Sequence, residues 1–246
     1  MAQTQGLKAY LARASVAPEV FALQPDYRAL LIAISGIPTG PSDASSEAML
    51  ASAEISARSA MESQAVTDIP HVAAWREAYK AFGSKPNKFR NSLEALTRRI
   101  SAPGKEPATG LPRVNRLTDI YNAISVKHQI PLGGEDLDKY EGAPVLVRAK
   151  GDEVFKTTAG GETVEEHPDK GEVVWCDDAG VTCRRWNWRQ GPRTALTDQT
   201  TKVLFILDAL KPCDDEALAK AGDELVEALK ELSDEIKVER RILRKE

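Results

Sequence analysis

The 246-residue chain has little of what builds metal or disulfide centres. There are three cysteines (Cys176, Cys183, Cys213) and three histidines (His71, His128, His167). An odd cysteine count without CxxC spacing gives neither a disulfide framework nor a zinc ribbon, so buried, reduced thiols are expected. The histidines are scattered and no pair has ligand spacing, so neither a metal nor another cofactor is expected. No apolar run approaches the roughly 20 residues of a bilayer span; the longest, residues 29–34, is strand-sized. A basic segment followed by an apolar stretch is missing from the N-terminus, which argues for a cytoplasmic protein. There is no internal repeat.

What is present suits a folded protein of one large or two closely packed units: 42% hydrophobic residues with 28% well-mixed charges. The net charge of -4 argues against bulk polyanion binding. Charge is nonetheless uneven. Residues 71–100 carry seven Lys/Arg against two Asp/Glu, and residues 184–193 carry four arginines and no acid. A local basic face on a mildly acidic protein can hold a phosphate backbone.

Along the chain, residues 1–24 read as a weakly helical or mobile lead-in. Residues 28–37 (RALLIAISGI) read as a buried strand stopped by Gly36 and Pro38. A helix capped by Ser45 or Ser46 follows. In residues 71–82 the spacing of Trp75, Tyr79 and Phe82 gives a helix that Gly83 ends, and residues 91–100 form a second. Residues 103–112 are a Pro/Gly-rich connector. Residues 114–126 are helical and run into a turn at 130–134. The period then becomes two, with strands at 145–147, 153–156, 173–176, 181–186 and 203–207; Asp177 to Gly180 make a hairpin turn. Residues 214–246 read as one long helix with Leu218, Leu225, Leu229, Leu232 and Ile236 as its stripe. The sevenfold spacing of Leu218, Leu225 and Leu232 suits packing along another helix, in the same chain or in a homodimer.

Residues 111–124 (LPRVNRLTDIYNAI) and 130–140 (IPLGGEDLDKY) resemble the core of the tRNA-editing domain of the bacterial phenylalanyl-tRNA synthetase β-subunit. The matching positions are Asn115, Asp119 and Asn122, then Pro131 and Leu132, without a gap. The hairpin at 175–181 and the run RWNWRQ at 185–190 look like a free-standing branch of that family, as do residues 71–99. The likeness spans about residues 26–210, with a lead-in at 1–25 and a terminal helix at 211–246 outside it. It implies an α/β (α+β) fold, with a mixed, largely antiparallel sheet flanked by helices and a long C-terminal helix. Where the synthetase domain has a threonine and a histidine, this chain has Tyr121 and Gly133, and the acidic position that reads the tyrosine hydroxyl falls near Phe205, Ile206 or Asp208, so rejection of tyrosine does not carry over.

Each motif has two readings. Asn115 and Asn122 share a helix face two turns apart; they either satisfy nearby backbone or, with Asn122, bind a pocket water or amino acid. Gly133 and Gly134 make a turn, or let backbone N–H groups approach an oxyanion. In a strand, Trp186 and Trp188 would face one way and Asn187 and Arg189 the other, as core tryptophans or as a binding wall. Lys85, Lys88 and Arg90 are a solvated face, or with Phe82 and Phe89 a tRNA contact.

The resemblance implies trans-editing: hydrolysis of the ester of a mischarged tRNA. The aminoacylated 3′ end would enter a pocket formed by Asn115, Tyr121, Asn122, Gly133, Gly134, Glu135, Arg185, Trp186, Asn187, Arg189 and Gln190. No nucleophile–base pair is evident, which suits an already activated ester met by an oriented water. Clustered Arg184, Arg185, Arg189 and Arg193 favour a small polar or acidic acyl group. The alternatives are a non-catalytic module that binds tRNA or an amino acid, and a protein-interaction module using the same cleft. Amino-acid release from mischarged tRNA separates the first two. A partner lost on cutting the last helix would mark the third.

Overall fold

The computed structural model describes residues 2–38, 40–101 and 110–246. Most of the Pro/Gly-rich connector lies outside them.

The chain enters through α1 (Ala2–Ala12), a two-residue strand β1 (Ser15–Val16) and α2 (Pro18–Leu23). The expected lead-in is docked: Leu7, Leu11, Ala14 and Val20 are buried. The apolar run then forms β2 (Arg28–Ser35), followed by α3 (Ala44–Met61). The cap of α3 is Asp43, one turn ahead of expectation. Its carboxylate accepts the Ser46 N–H at 2.9 Å while the Ser46 hydroxyl answers the Asp43 N–H at 3.0 Å. Helices α4 (Pro70–Ala81), α5 (Ser92–Ile100) and α6 (Arg116–His128) follow. Asn91 and Asn115 cap the last two by accepting from Glu94 N and Thr118 N.

The strands after α6 are β3 (Leu132–Asp136), β4 (Val145–Arg148), β5 (Phe155–Ala159), β6 (Glu162–Glu166), β7 (Val173–Asp177), β8 (Gly180–Arg184), β9 (Arg189–Gln190) and β10 (Lys202–Ala209). The chain closes with α7 (Asp215–Lys230) and β11 (Lys237–Arg244). The strands make a four-stranded sheet ordered β11-β2-β10-β3, a five-stranded sheet ordered β1-β4-β7-β8-β9, and the β5-β6 ribbon. Among the described residues only β1 with β4 is parallel; the other pairs are antiparallel. The fold is therefore α+β with mixed, largely antiparallel sheets.

β2 and β10 are buried on both faces, which explains their unbroken apolar sequences. One face (Leu30, Ile32, Ile34, Phe205, Leu207) packs on α6 and α7. The other (Leu31, Ala33, Leu204, Ile206) meets Trp75, Tyr79, Trp175 and Trp186. The β7–β8 hairpin requires glycine at its corner: Gly180 has φ +129°, and a Cβ there would lie 2.6 Å from the Val154 carbonyl oxygen.

Three local expectations are corrected. Residues 130–134 are not a turn: from Leu132 the chain is strand β3, registered against Leu207 to Val203 of β10. The long C-terminal helix is present but stops at Lys230. Residues 237–244 form β11, paired over its full length with β2. Ser233 and Asp234 interrupt the stripe, and β2 would otherwise expose an unpaired edge. The helical stripe is also already covered: Leu218, Leu225 and Leu229 lie fully buried against the sheet and α6. Residues 185–188 form a turn between β8 and β9, not a continuation of the strand.

Candidate functional site

A cavity of about 280 Å³ opens beside β3, the outer strand of the four-stranded sheet. Tyr121 and Asn122 of α6 form one wall, and Ser92, Leu96 and Arg99 of α5 another. Trp175, Cys183 and the segment 186–190 close it, with Gly133, Glu135, Ile206 and Asp208 from β3 and β10.

The strand geometry separates the paired glycines, because successive residues face opposite sides. Gly133 faces the cavity, and a Cβ there would meet nothing within 4 Å. Gly134 faces the core, where a Cβ would lie 3.0 Å from both Leu196 Cδ1 and Phe205 Cε1. Asp208 N donates to the Pro131 carbonyl, so the antiparallel alternation commits the Gly133 peptide to Ile206. Gly133 thus contributes clearance rather than a free N–H. The Gly134 carbonyl accepts from Gln190 Nε2 at 3.1 Å, which anchors β9 to β3.

The turn at 185–188 carries unusual backbone. Arg185 and Trp186 have φ of +46° and +66°. Left-handed backbone costs an L-residue roughly 1–2 kcal/mol. Packing holds it. Trp186 is fully buried, edge-on to Tyr27 (4.9 Å between ring centroids) and Trp75 (5.2 Å). The Arg185 guanidinium lies over Phe89 (3.6 Å) and Trp188 (4.7 Å). The turn aims Asn187 inward: its Oδ1 accepts from Tyr79 Oη at 2.9 Å and its Nδ2 donates to Asp208 at 3.1 Å. Tyr27 Oη donates to the other Asp208 oxygen at 2.6 Å. A buried chain Tyr27–Asp208–Asn187–Tyr79 therefore underlies the cavity.

Electrostatically, the site differs from the arginine-rich wall read from sequence. Arg184 is bonded to Glu172 and Glu166, Arg185 pairs with Asp169 and Glu172, and Arg193 clamps Asp177 at 2.6 and 2.9 Å. These cations serve internal carboxylates. Only Arg189 of the four lines the cavity, with Arg99. Inside are two carboxyls instead. Burial lifts Glu135 to about 7, with Tyr140 Oη donating to it, and lifts Asp208 to about 7. Burial also pushes the Cys183 thiol well up, which keeps it protonated and a poor nucleophile.

The histidines lie elsewhere. His71 Nδ1 donates to the Gln129 carbonyl, while its Nε2 accepts from Trp75 Nε1 and Leu210 N, each at 3.1 Å; burial lowers it to about 4. His128 meets Glu224 and His167 meets the Glu153 carbonyl.

Of the residues expected from sequence, Tyr121, Asn122, Gly133, Glu135, Trp186, Asn187, Arg189 and Gln190 converge on the cavity. Asn115, Gly134 and Arg185 do not line it. Asn115 is a helix cap whose Nδ2 reaches the Leu196 carbonyl, Gly134 is a packing seam, and Arg185 holds the turn. Lys85, Lys88 and Arg90 are exposed on the loop joining α4 to α5. The first two border a shallow basic groove with Arg76 and Lys80. Sequence reasoning did not assign Trp175, Cys183, Arg99 or Asp208. Asp208 did leave a signal: it is the one acid in the run VLFILDAL.

The B3/4 domain family matches residues 74–234, which hold the cavity and nearly all of its frame. The chain belongs to the B3/4 domain family. Among solved structures it is similar to an N-terminal fragment of the phenylalanyl-tRNA synthetase β-subunit from Pyrococcus horikoshii. The identity is 12% and the TM-score 0.46, with 94% of this chain and 54% of that one covered. The chain thus spans about half the length of that fragment. No curated protein matches.

Proposed function

We propose that this B3/4 domain protein is a trans-acting aminoacyl-tRNA deacylase. The observation that carries the reading is the convergence of Asn122, Gly133, Asn187 and Gln190 on one cavity whose rim holds Arg99 and Arg189. The acyl group enters past Gly133, where no side chain obstructs it. Water attacks the ester carbonyl, and Asn122 orients the water or donates to the developing oxyanion. The bond from acyl carbon to ribose oxygen breaks. The water's proton passes to the departing ribose oxygen, which becomes the free hydroxyl, and the amino acid and free tRNA leave. The rim arginines and the exposed Lys85, Lys88 and Arg90 are the groups we assign to the phosphates of the acceptor end. The Phe89–Arg185–Trp188 stack joins that basic loop to the cavity wall.

The test is release of amino acid from a panel of mischarged tRNAs under excess free protein. Asn122→Ala should slow release about 10²-fold with little change in melting temperature. Normal turnover in that variant removes Asn122 from the site. A second reading, a binding module without hydrolysis, is favoured by the engagement of the Asn187 amide with Tyr79 and Asp208 and of Gln190 Nε2 with the Gly134 and Thr194 carbonyls. It predicts saturable binding with no release from any member of the panel.

A further inference from the structure

Where this fold buries a carboxylate, it answers it. Glu54 pairs with Arg113 at 2.7 Å, Glu94 with Arg76 and Arg98 at 2.8 Å each, and Glu172 with Arg184 at 2.8 Å. Asp119 takes the Val114 N–H, and Asp136 takes the Asp138 N–H and the Thr200 hydroxyl. Glu135 and Asp208, each 3% exposed, are held like Asp119 and Asp136 by neutral donors, but unlike those two they line the cavity. Their hydrogen-bond donors are neutral: Tyr140 for one, Tyr27 and Asn187 for the other. No salt bridge reaches either among the described residues, and Arg193, whose charge is felt at Glu135, is clamped by Asp177. Both carboxyls line the cavity.

A second observation is independent of charge. Trp175 and Trp186 line the same cavity and are fully buried; the Trp186 indole N–H points toward the Tyr27 hydroxyl, whereas the Trp175 Nε1–H finds no acceptor among the described residues. Buried donors without acceptors are rare, and an acceptor on an occupant answers them. Spacing adds a third constraint. Glu135 sits opposite Leu204, and Asp208 lies four residues further along β10 on the same face. At about 3.3 Å per residue their backbones are about 13 Å apart. With side chains reaching in from both ends, the gap suits two cationic nitrogens joined by a short aliphatic chain, and tryptophan faces suit the stem and its charge.

We infer that the cavity selects a basic acyl group: an α-amino acid whose side chain ends in an ammonium or guanidinium. One carboxyl faces the α-ammonium, the other faces the side-chain cation, and the Trp175 indole N–H faces the carbonyl. The ester form of this ligand rests on the deacylase reading above; the selection of the cation does not. The arginines on the cavity do not oppose it. Arg99 is exposed and Arg189 is half-buried beside Trp188, placed for the phosphates of the nucleotide.

The experiment is calorimetry of the full chain with L-lysinamide and L-norleucinamide, which differ only in the terminal ammonium. Release from lysyl-, arginyl-, methionyl- and alanyl-tRNA is measured in parallel. Lysinamide should bind at least about tenfold tighter, the scale of one desolvated ion pair. Glu135→Gln should erase most of that preference while keeping the Tyr140 contact, and Asp208→Asn should do the same where it folds. Equal affinity for the two amides in the wild-type chain overturns the inference, as does faster release of methionine or alanine than of lysine. A lysinamide preference with no release from any tRNA sustains the inference and overturns the deacylase reading.

Discussion

Gly133 and Gly134 are adjacent, yet the structure gives them opposite jobs, and alanine at each position separates them. Neither has a positive φ, so alanine fits the backbone at both. At Gly133 the new methyl meets nothing within 4 Å. Losing the unfolded-state freedom of glycine should then stabilise the fold by about 0.4–1 kcal/mol. For a chain of this size that raises the melting temperature by about 1–4 °C. The same methyl projects into the cavity, so Gly133→Ala should cut amino-acid release at least about tenfold, since misplacing a reacting group by a fraction of an ångström is costly.

At Gly134 the methyl lies 3.0 Å from Leu196 Cδ1 and from the ring of Phe205, which is fully buried in the sheet core. Overpacking of this kind costs about 1–3 kcal/mol. After the gain from alanine, the net loss is about 1–2 kcal/mol, or roughly 2–8 °C. Activity per folded molecule should change little. The assays are thermal denaturation and release from the mischarged panel. Unchanged turnover in Gly133→Ala refutes the placement of that residue on the cavity. A raised melting temperature in Gly134→Ala refutes the packing against Leu196 and Phe205.

The remaining predictions concern the surface, the last strand and pH. Charge reversal at Lys85, Lys88 and Arg90 together should weaken tRNA binding and flatten its salt dependence by up to about three counterions in a filter-binding titration; an unchanged slope returns the loop to ordinary solvated charge. Deleting residues 233–246 removes β11 and bares the full length of β2, so the truncated chain should aggregate or melt far lower; a soluble chain of unchanged stability would show β11 to be dispensable. Burial raises Glu135 from 4.5 to about 7 and Asp208 from 3.8 to about 7, so the folded chain holds protons that the unfolded chain has released. Their contribution is therefore greatest below about pH 4, falls as pH rises to about 7, and is level above. Urea denaturation at pH 5 and pH 8 should show a smaller decline in Glu135→Gln than in the wild type, by on the order of 1–3 kcal/mol; identical declines would mean Glu135 is already ionised at pH 5.

The apolar periods of β2, α4, α5 and β10 are visible in sequence because each buries a continuous surface, and the Asn115–Asn122–Pro131 spacing gave the α6–β3 corner. Three features were not legible, each for a physical reason. Residues 237–244 (KVERRILR) are rich in helix formers, and only the vacant edge of β2 makes them a strand. The turn at 185–188 has no glycine or asparagine at its left-handed positions, so local chemistry does not announce it; it is imposed by the burial of Trp186. The arginines of residues 184–193 looked available because their acidic partners, Glu172 and Asp177, stand 12 and 16 residues away from Arg184 and Arg193. A local charge count cannot see pairs that form across strands.

Several departures from ordinary folding rules meet at the cavity. Two L-residues with left-handed backbone sit at the cavity's turn; two carboxyls without a cation and the Trp175 indole without an acceptor lie in its lining. Each such feature costs about 1–3 kcal/mol, against a total stability of about 5–15 kcal/mol for a typical domain. Elsewhere the same chain pairs Glu54, Glu94 and Glu172 with arginines, so its composition can provide counter-charges. Trp186, packed against Tyr27, Trp75 and Phe82, supplies the compensating burial beneath the turn. Stability alone gives no reason to withhold a cation from Glu135 and Asp208 while Arg189 and Arg99 line the same cavity. An occupant bringing both positive charge and an acceptor answers Glu135, Asp208 and Trp175 at once, so its binding energy is drawn from penalties the site already carries.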